Sequence, residues 1–222
     1  MQKIRLIGIT QPNLENTDCL TAEELIAYAA RVSNPSNQNN NETAPKLLKY
    51  LAKNKHWSPF EMVHVVMEIT TTRDIARQIL RHRSFSFQEF SQRYAVATEF
   101  MHSEARLQDT KNRQNSIETE DDFLIDDWYL AQDEVVTVVK KLYEEFLERG
   151  MAKEVARKIL PEGLTTSVMY MSGSVRSWIH YCQERTKDGV QKEHRQIAQW
   201  CKELLLEHFP SLKEILDDSK SV

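Results

Sequence analysis

The chain has 222 residues, a formal net charge of −4, and 41% hydrophobic and 28% charged residues. This length suits one domain with one buried core, and we expect residues 1–222 to form a single domain. The acidic balance argues against a protein that coats nucleic acid, because such proteins usually carry an excess of basic residues.

The cysteines and apolar runs indicate the compartment. Cys19, Cys182 and Cys201 are odd in number and form no CxxC pair, so a reducing environment is the simplest interpretation. The apolar run from Leu6 to Ile9 is too short for the core of a secretory signal. No run approaches the roughly 20 apolar residues that span a membrane. We therefore expect a cytoplasmic protein with no membrane contact.

The pattern of elements predicts an α+β, helix-rich fold with a small, mainly antiparallel sheet. Five glycines occur without GxGxxG or GxxxxGK[ST], so a Rossmann unit and a P-loop are not expected. β-branched or apolar runs predict strands at 6–9, 62–72, 92–101 and 165–171. Helical patterns predict helices at 21–32, 44–54, 73–83, 127–149, 152–160, 174–186, 190–208 and 211–217, with polar loops at 34–42 and 104–122.

Several residues predict how these helices begin, end and pack. The segments at 21–24 (TAEE) and 58–61 (SPFE) both look like capping boxes, although only a turn is expected after the second. Gly150 is expected to close the long helix. That helix carries an apolar set that we interpret as core, with an oligomer surface as the second interpretation: Val135, Val138, Val139, Leu142 and Phe146.

A cationic cluster interrupts this acidic chain at residues 81–94, RHRSFSFQEFSQRY. Cations at a helix C-terminus stabilise the helix dipole by about 0.3–1 kcal/mol each, which would explain only the RHR tripeptide. Gln78 and Arg81 share a helix face. Glu89, Ser91 and Arg93 alternate, which predicts one side of an extended segment. Guanidinium, hydroxyl and carboxylate groups on one side suit a small phosphorylated ligand.

Further segments occur in a particular order around this cluster. The cluster itself reads RHR, seven residues, then Ser91. The others are AARVS at 29–33, HWSPFE at 56–61, EVARKILP at 154–161, SVRSWIHYCQERT at 174–186 and QKEHR at 191–195. Together, over about residues 20–205, they resemble the flavin-dependent thymidylate synthase (ThyX) family. The chain departs from the family pattern at Gln88, Ser174 and His180, where asparagine is usual.

This resemblance implies an enzyme that converts dUMP to dTMP. It implies methylenetetrahydrofolate as the carbon donor, NADPH as the reductant acting through FAD, and a homotetramer with sites built from several chains. It implies Arg185 as the catalytic residue. The implied dUMP contacts are Gln78, Arg81, Glu89, Phe90, Ser91, Gln92, Arg93, Arg157 and Arg185, with Phe90 and Gln92 acting through backbone amides. The implied FAD contacts are Ser58, Glu61, Arg81, His82, Arg83, Glu89, Ser174, Arg176 and His180.

The helix at 174–186 is predicted to serve two pocket walls. Arg176 and His180 are i,i+4 neighbours, whereas Arg185 is nine residues beyond Arg176 and about 180° around the helix. Ser91 is expected to bind substrate rather than to act as a nucleophile, because no GxSxG motif or base partner is evident.

Three other interpretations are weaker. Attack by a cysteine would need an activated thiol, but Cys182 and Cys201 lie between apolar residues and read as structural. His56 and His82 lack further ligands at metal-binding spacing, so no metal site is expected. An RNA-binding module is disfavoured by the acidic charge and by the absence of an RNP-type aromatic pattern.

Overall fold

The structure is a computed structural model that describes residues 1–217, so residues 218–222 of the predicted single domain lie outside the described part. Its main feature is a four-stranded sheet of order β1-β2-β6-β3, in which every neighbouring pair is antiparallel. The predicted α+β class with a small antiparallel sheet is therefore confirmed. The strands are β1 (Lys3–Ile9), β2 (His64–Thr72), β3 (Ser86–Glu89), β4 (Arg106–Gln108), β5 (Ser116–Glu118) and β6 (Thr166–Ser174).

Helices account for most of the remaining regular structure. Among residues 1–217, none of them is long and apolar enough to cross a membrane. They are α1 (Ala22–Ala30), α2 (Ala44–Lys53), α3 (Arg73–Ile79), α4 (Asp122–Glu148), α5 (Lys153–Ala156), α6 (Val175–Arg185), α7 (Lys192–His208) and α8 (Lys213–Asp217).

The core lies between the sheet and the helices α1, α2, α6 and α7. Met67 on β2 and Met169 on β6 are completely buried, and the same cluster of contacts reaches from Ala22 to Leu216. Trp178 of α6 is also fully buried, and its indole N–H donates to the Val65 carbonyl of β2 at 3.1 Å. This bond satisfies the polar end of a large aromatic side chain, so α6 is fixed against the sheet.

A close contact between Phe85 and Gly173 fixes the segment that follows α3. A Cβ atom on Gly173 would lie 2.5 Å from Cδ1 of Phe85, which is closer than real atoms approach. The Phe85 ring also meets the Trp178 ring edge-on, with centroids 4.8 Å apart. Because Phe85 comes just after the RHR tripeptide, this contact holds the cationic cluster at residues 81–94, here called the cationic segment, beside α6.

One of the two predicted capping boxes is present. Thr21 Oγ1 accepts a hydrogen bond from the Glu24 amide at 3.2 Å, and the Glu24 carboxylate accepts one from the Thr21 amide at 3.1 Å. The second prediction is wrong. The segment Ser58–Glu61 is a 3-10 turn without a side-chain cap, because the Glu61 carboxylate bonds to Arg176 instead.

The expected strand at 92–101 is also wrong. β3 ends at Glu89, and the amides of Tyr94 and Ala95 both donate to the Ser91 carbonyl at 3.1 Å, which forms a turn. The predicted alternation of Glu89, Ser91 and Arg93 on one side of an extended segment therefore fails. Competition from local turn hydrogen bonds explains the error.

The polar segment 104–122 was wrongly expected to lack regular structure. It contains the β4–β5 hairpin, and α4 begins within it because the Asp121 side chain accepts from the Leu124 amide at 3.1 Å. At its other end α4 closes as predicted. Gly150 adopts φ of 86°, a conformation that favours glycine.

The contact between Phe85 and Gly173 leads to a test of stability. Gly173→Ala should lower the free energy of unfolding by about 1–3 kcal/mol, because the added methyl group overpacks the ring. Urea unfolding would measure it. Gly163→Ala is the matched control, since a Cβ atom added at Gly163 would meet no heavy atom within 4 Å. Equal stabilities of the two variants would contradict this view of the contact.

Candidate active site

The cationic segment meets the end of α6 through two predicted site residues. Arg185 Nε donates a hydrogen bond to His82 Nε2 at 2.8 Å. The His82 ring also packs edge-on against Tyr181, with centroids 4.9 Å apart. Arg185 was predicted to contact dUMP and His82 to contact FAD, so the structure brings one residue of each predicted set into direct contact.

Burial, more than this contact, determines the charge state of His82. Burial lowers the pKa of His82 to about 4, and the nearby Arg185 guanidinium lowers it further in the same direction. At neutral pH the imidazole is therefore uncharged, with Nε2 accepting and the proton on Nδ1. A neutral partner orients the guanidinium without cancelling its positive charge.

Four predicted arginines carry charges that the described chain leaves unpaired. Among residues 1–217, no carboxylate oxygen lies within 4.0 Å of the guanidinium groups of Arg81, Arg83, Arg157 or Arg185. Arg81 and Arg83 are exposed, and the other two are half-buried. Free guanidinium groups in a locally cationic region are suited to bind phosphate groups.

A cavity of about 320 Å³, here called the α6 cavity, lies between Trp57, Ser84 and α6. Arg176 Nη1 donates to Glu61 Oε1 at 2.6 Å, which joins two predicted FAD contacts. Ser177 Oγ donates to the Ser84 carbonyl at 3.2 Å and fixes the cationic segment against α6. The lining residues are Trp57, Ser84, Arg176, Ser177, Ile179, His180 and Gln183.

The two-sided arrangement predicted for α6 is present in this geometry. Arg176 and His180 both line the α6 cavity, as their i,i+4 spacing requires. Arg185 does not line it and contacts His82 instead. One helix thus presents cations to two different regions of the surface.

A second cavity of about 290 Å³, here called the α3 cavity, collects further cations. The Gln92 side chain in its wall is only 3% exposed, and its Nε2 has no hydrogen-bond partner among the described residues. This orphaned donor indicates a place for a ligand acceptor. The lining residues are Arg73, Arg77, Gln92, Arg157, Lys158, Leu160 and Glu162.

Glu89 lies beside this cavity. Its carboxylate accepts a hydrogen bond from Ser167 Oγ at 2.7 Å and lies 3.6 Å from Nη1 of Arg73. Arg73 and Arg77 were missed in the sequence, although they are i,i+4 neighbours and precede the recognised motif. Arg77 pairs with Glu162, which leaves Arg157 as the guanidinium in the α3 cavity without a carboxylate in the described chain.

Other predicted residues lie apart from both cavities. Arg93 pairs with Glu154 at 3.2 Å in a separate surface depression. The Phe90 amide already donates to the Val168 carbonyl at 2.8 Å. Ser58 is exposed. Ser174 caps α6, because its Oγ accepts from the Ser177 amide at 3.3 Å.

Neither Ser91 nor a cysteine is arranged as a nucleophile. The hydrogen-bond partner of Ser91 Oγ within residues 1–217 is the Arg93 amide at 3.4 Å, not a base. Burial raises the pKa of Cys182 to about 12 and that of Cys201 well above its usual range. All three cysteines are free and buried, which confirms the structural interpretation of Cys182 and Cys201. Within residues 1–217 no group of three His, Cys, Asp or Glu residues could hold a metal ion.

Comparison with known proteins identifies the family. The family model described as thymidylate synthase complementing protein matches residues 16–211. The chain belongs to this family. A probable flavin-dependent thymidylate synthase of Paramecium bursaria Chlorella virus 1 is 52% identical over 96% of this chain and 98% of its own. A flavin-dependent thymidylate synthase of Synechocystis is 50% identical over 96% and 99%.

A solved structure shares the fold of this member of the thymidylate synthase complementing protein family. It is the UMP/dUMP methylase PolB from Streptomyces cacaoi bound with 5-Br UMP. The TM-score is 0.80, with 22% identity, and the match covers 96% of this chain and 92% of the other. At that identity the likeness establishes the fold.

The low pKa of His82 predicts how stability depends on pH. The pKa is about 4 when folded against 6.5 for the free side chain. The unfolded chain therefore binds the extra proton between these values, and stability is lost as the pH falls from about 6.5 to about 4. His82→Asn should reduce this dependence in chemical unfolding measured across that range, with the buried His194, whose pKa is lowered to about 3, supplying the slope that remains. His208→Asn, on the exposed end of α7, controls for the loss of one histidine, and an equal slope in wild type and His82→Asn would refute the assignment.

Proposed function

We propose that the chain is a flavin-dependent thymidylate synthase that converts dUMP to dTMP, with methylenetetrahydrofolate as carbon donor and NADPH as reductant. Family membership and two relatives of that name at 50–52% identity support this proposal. The structural observation that carries it is the Arg185 guanidinium, which is held by a neutral histidine and lacks a carboxylate within residues 1–217. A cytoplasmic location is part of the proposal and accords with three free cysteines.

The α3 cavity is suited to the phosphate of dUMP. Arg157 brings a charge without a carboxylate partner in the described chain, and Gln92 brings an unpartnered donor, whereas Arg73 and Arg77 are paired with Glu89 and Glu162. Planar guanidinium groups bind phosphate through paired hydrogen bonds. The remaining residues of the predicted dUMP set would contact the sugar and the base, and some of these residues would come from other subunits.

The residues around the α6 cavity fit FAD. Arg81 and Arg83 are exposed guanidinium groups without carboxylate partners in the described chain, and Arg176 and His180 line the cavity itself. In a chain without a glycine-rich phosphate loop, such side chains would take over the binding of a pyrophosphate. When bound, FAD supplies the reducing equivalents that turn the transferred methylene group into a methyl group.

The chemical role of Arg185 follows from the weakness of uracil C5 as a nucleophile. Negative charge that develops at N3 and the adjacent carbonyl makes C5 richer in electrons. A positioned guanidinium stabilises that charge, provided that its own charge is not neutralised. His82 meets this condition, because a neutral imidazole accepts the Nε hydrogen bond and fixes the direction of the side chain.

Two substitutions test these roles. Arg185→Ala should reduce dTMP turnover at saturating dUMP by about 10²–10³, the usual effect of removing one preorganised charge. It should leave FAD bound and folate-independent NADPH oxidation intact.

Ser91→Ala should weaken dUMP binding and retain turnover, because it removes a hydrogen bond worth about 0.5–1.5 kcal/mol. An inactive Ser91→Ala with a near-normal Arg185→Ala would reverse the assignment.

The proposal includes a homotetramer, and α4 supports an assembly. Within α4 the buried side chains are Gln132 and Tyr143, so most of this 27-residue helix faces solvent in one chain. Six of its exposed apolar residues follow the alternating spacing of four and three that is typical of helix-to-helix seams, while Phe123 and Leu130 lie outside this series. These seam residues are Leu124, Trp128, Ala131, Val135, Val138 and Leu142. The expectation that Val135, Val138 and Leu142 lie in the core is wrong, because all three are exposed, and the oligomer interpretation is retained.

A charge in this seam should disrupt the assembly. Val138→Asp should shift the mass measured by light scattering from four chains of 26.0 kDa toward smaller species, because the carboxylate would be desolvated in an apolar interface. Thr137→Asp introduces the same charge on an exposed position of α4 away from the seam and should leave the mass unchanged. A wild-type monomer, or an unaltered mass for Val138→Asp, would reject the seam.

A further inference from the structure

His194 is a completely buried histidine without an assigned role in the proposed reaction. It lies in the first turn of α7 and packs against α3 and α6. Its Nδ1 lies 3.3 Å from Oε1 of Gln78, whereas its Nε2 is buried without a partner among the described residues. A buried nitrogen without a partner costs free energy. The hydrogen bond at Nδ1 is therefore the contact from which we infer a role for the imidazole.

The hydrogen bonds of Gln78 determine which nitrogen of His194 carries the proton. Gln78 Nε2 donates to Gln191 Oε1 at 2.6 Å, which turns the amide oxygen of Gln78 toward His194. An amide oxygen only accepts, so His194 Nδ1 must donate. Burial, Arg185 and His82 lower the pKa of His194 to about 3, which keeps the ring neutral in this tautomer.

The ring also belongs to the cluster that holds Arg185. The His194 centroid lies 5.8 Å from that of Tyr181 and 6.2 Å from that of His82, which accepts the hydrogen bond from Arg185. The groups facing His194 that carry or can carry charge are Arg185 from α6, Tyr181 from α6 and His82 from the cationic segment. No carboxylate within residues 1–217 lies within 4.0 Å of its ring nitrogens.

We propose that His194 is a positioning residue that sets the orientation of the Gln78 amide toward the uracil of dUMP. This inference rests on the proposed function. Uracil presents an N–H donor between two carbonyl acceptors, so a side-chain amide helps binding only when its oxygen and nitrogen face the correct atoms. The donor at His194 and the acceptor at Gln191 together select one of the two amide orientations.

The test compares two substitutions of His194. In His194→Leu the leucine side chain fills much of the space of the imidazole but has no hydrogen-bond donor. The KM for dUMP should therefore rise about three- to tenfold, the effect of one ordinary hydrogen bond. His194→Asn restores an N–H near the Nδ1 position and should recover most of this loss. The content of bound FAD and the rate of NADPH oxidation without dUMP should stay at wild-type levels in both. His208→Leu is the control, with the same change at an exposed site of α7.

The outcomes separate this inference from the proposed function. A wild-type protein that makes no dTMP rejects the function. An active wild type with an unchanged KM in His194→Leu, or no recovery in His194→Asn, rejects the role of His194. If His194→Leu does not fold, 15N NMR of histidine-labelled wild type decides, with His194→Asn giving the assignment. A neutral ring protonated at Nδ1 at pH 7 supports the proposal, and a charged or Nε2-protonated ring overturns it.

Discussion

The candidate site depends on the placement of the Phe85 ring over Gly173, where the sheet has no room for a Cβ atom. β6 runs through the middle of the sheet and continues directly into α6. A residue anchored on β6 therefore holds the cationic segment against that helix. With Phe85 in place, His82 reaches Arg185 and the Ser84 carbonyl reaches Ser177. Through this contact, the turn after α3 forms one wall of the candidate active site.

The electrostatic arrangement follows from this placement. Of the predicted site arginines, the four without a carboxylate in the described chain lie on the cationic segment (Arg81 and Arg83), at the end of α6 (Arg185) and in the turn after α5 (Arg157). Arg176, by contrast, is paired with Glu61 at 2.6 Å. Holding Arg185 with an uncharged imidazole costs little, because burial already favours the neutral form of His82. The protein thus presents unneutralised positive charge although its overall charge is −4.

Much of this architecture could be predicted from the sequence because it depends on local signals. The capping residues at 21–24 and Gly150 placed helix ends, and β-branched residues placed β2. The errors arose where a local pattern met a tertiary alternative. The Glu61 carboxylate accepts a hydrogen bond from Arg176 of α6 and does not cap its own turn. The Ser91 carbonyl accepts hydrogen bonds within a turn, so the chain does not stay extended after β3. Periodicity contains no information about such partners.

The contrast between local signals and tertiary contacts also applies to the candidate active site. Motif order predicted site residues between Gln78 and Arg93, and the structure brings His82 of this set to Arg185, whereas Phe90 and Arg93 lie apart from both cavities. His194 was not singled out, since only the folded chain brings α7 next to that segment, and Arg73 and Arg77 were missed because only the folded chain brings α3 next to Arg157. The exposed seam of α4 was ambiguous for a different reason, because an apolar helix face reads alike whether it packs within one chain or between chains.

The most direct test of the account is an anaerobic turnover assay with dUMP, NADPH and methylenetetrahydrofolate, carried out with and without added FAD. The account predicts that dTMP forms only when all four are present, and that NADPH is consumed in proportion to the dTMP produced. Formation of dTMP at the same rate by flavin-free protein, or no dTMP from protein loaded with FAD, would contradict it.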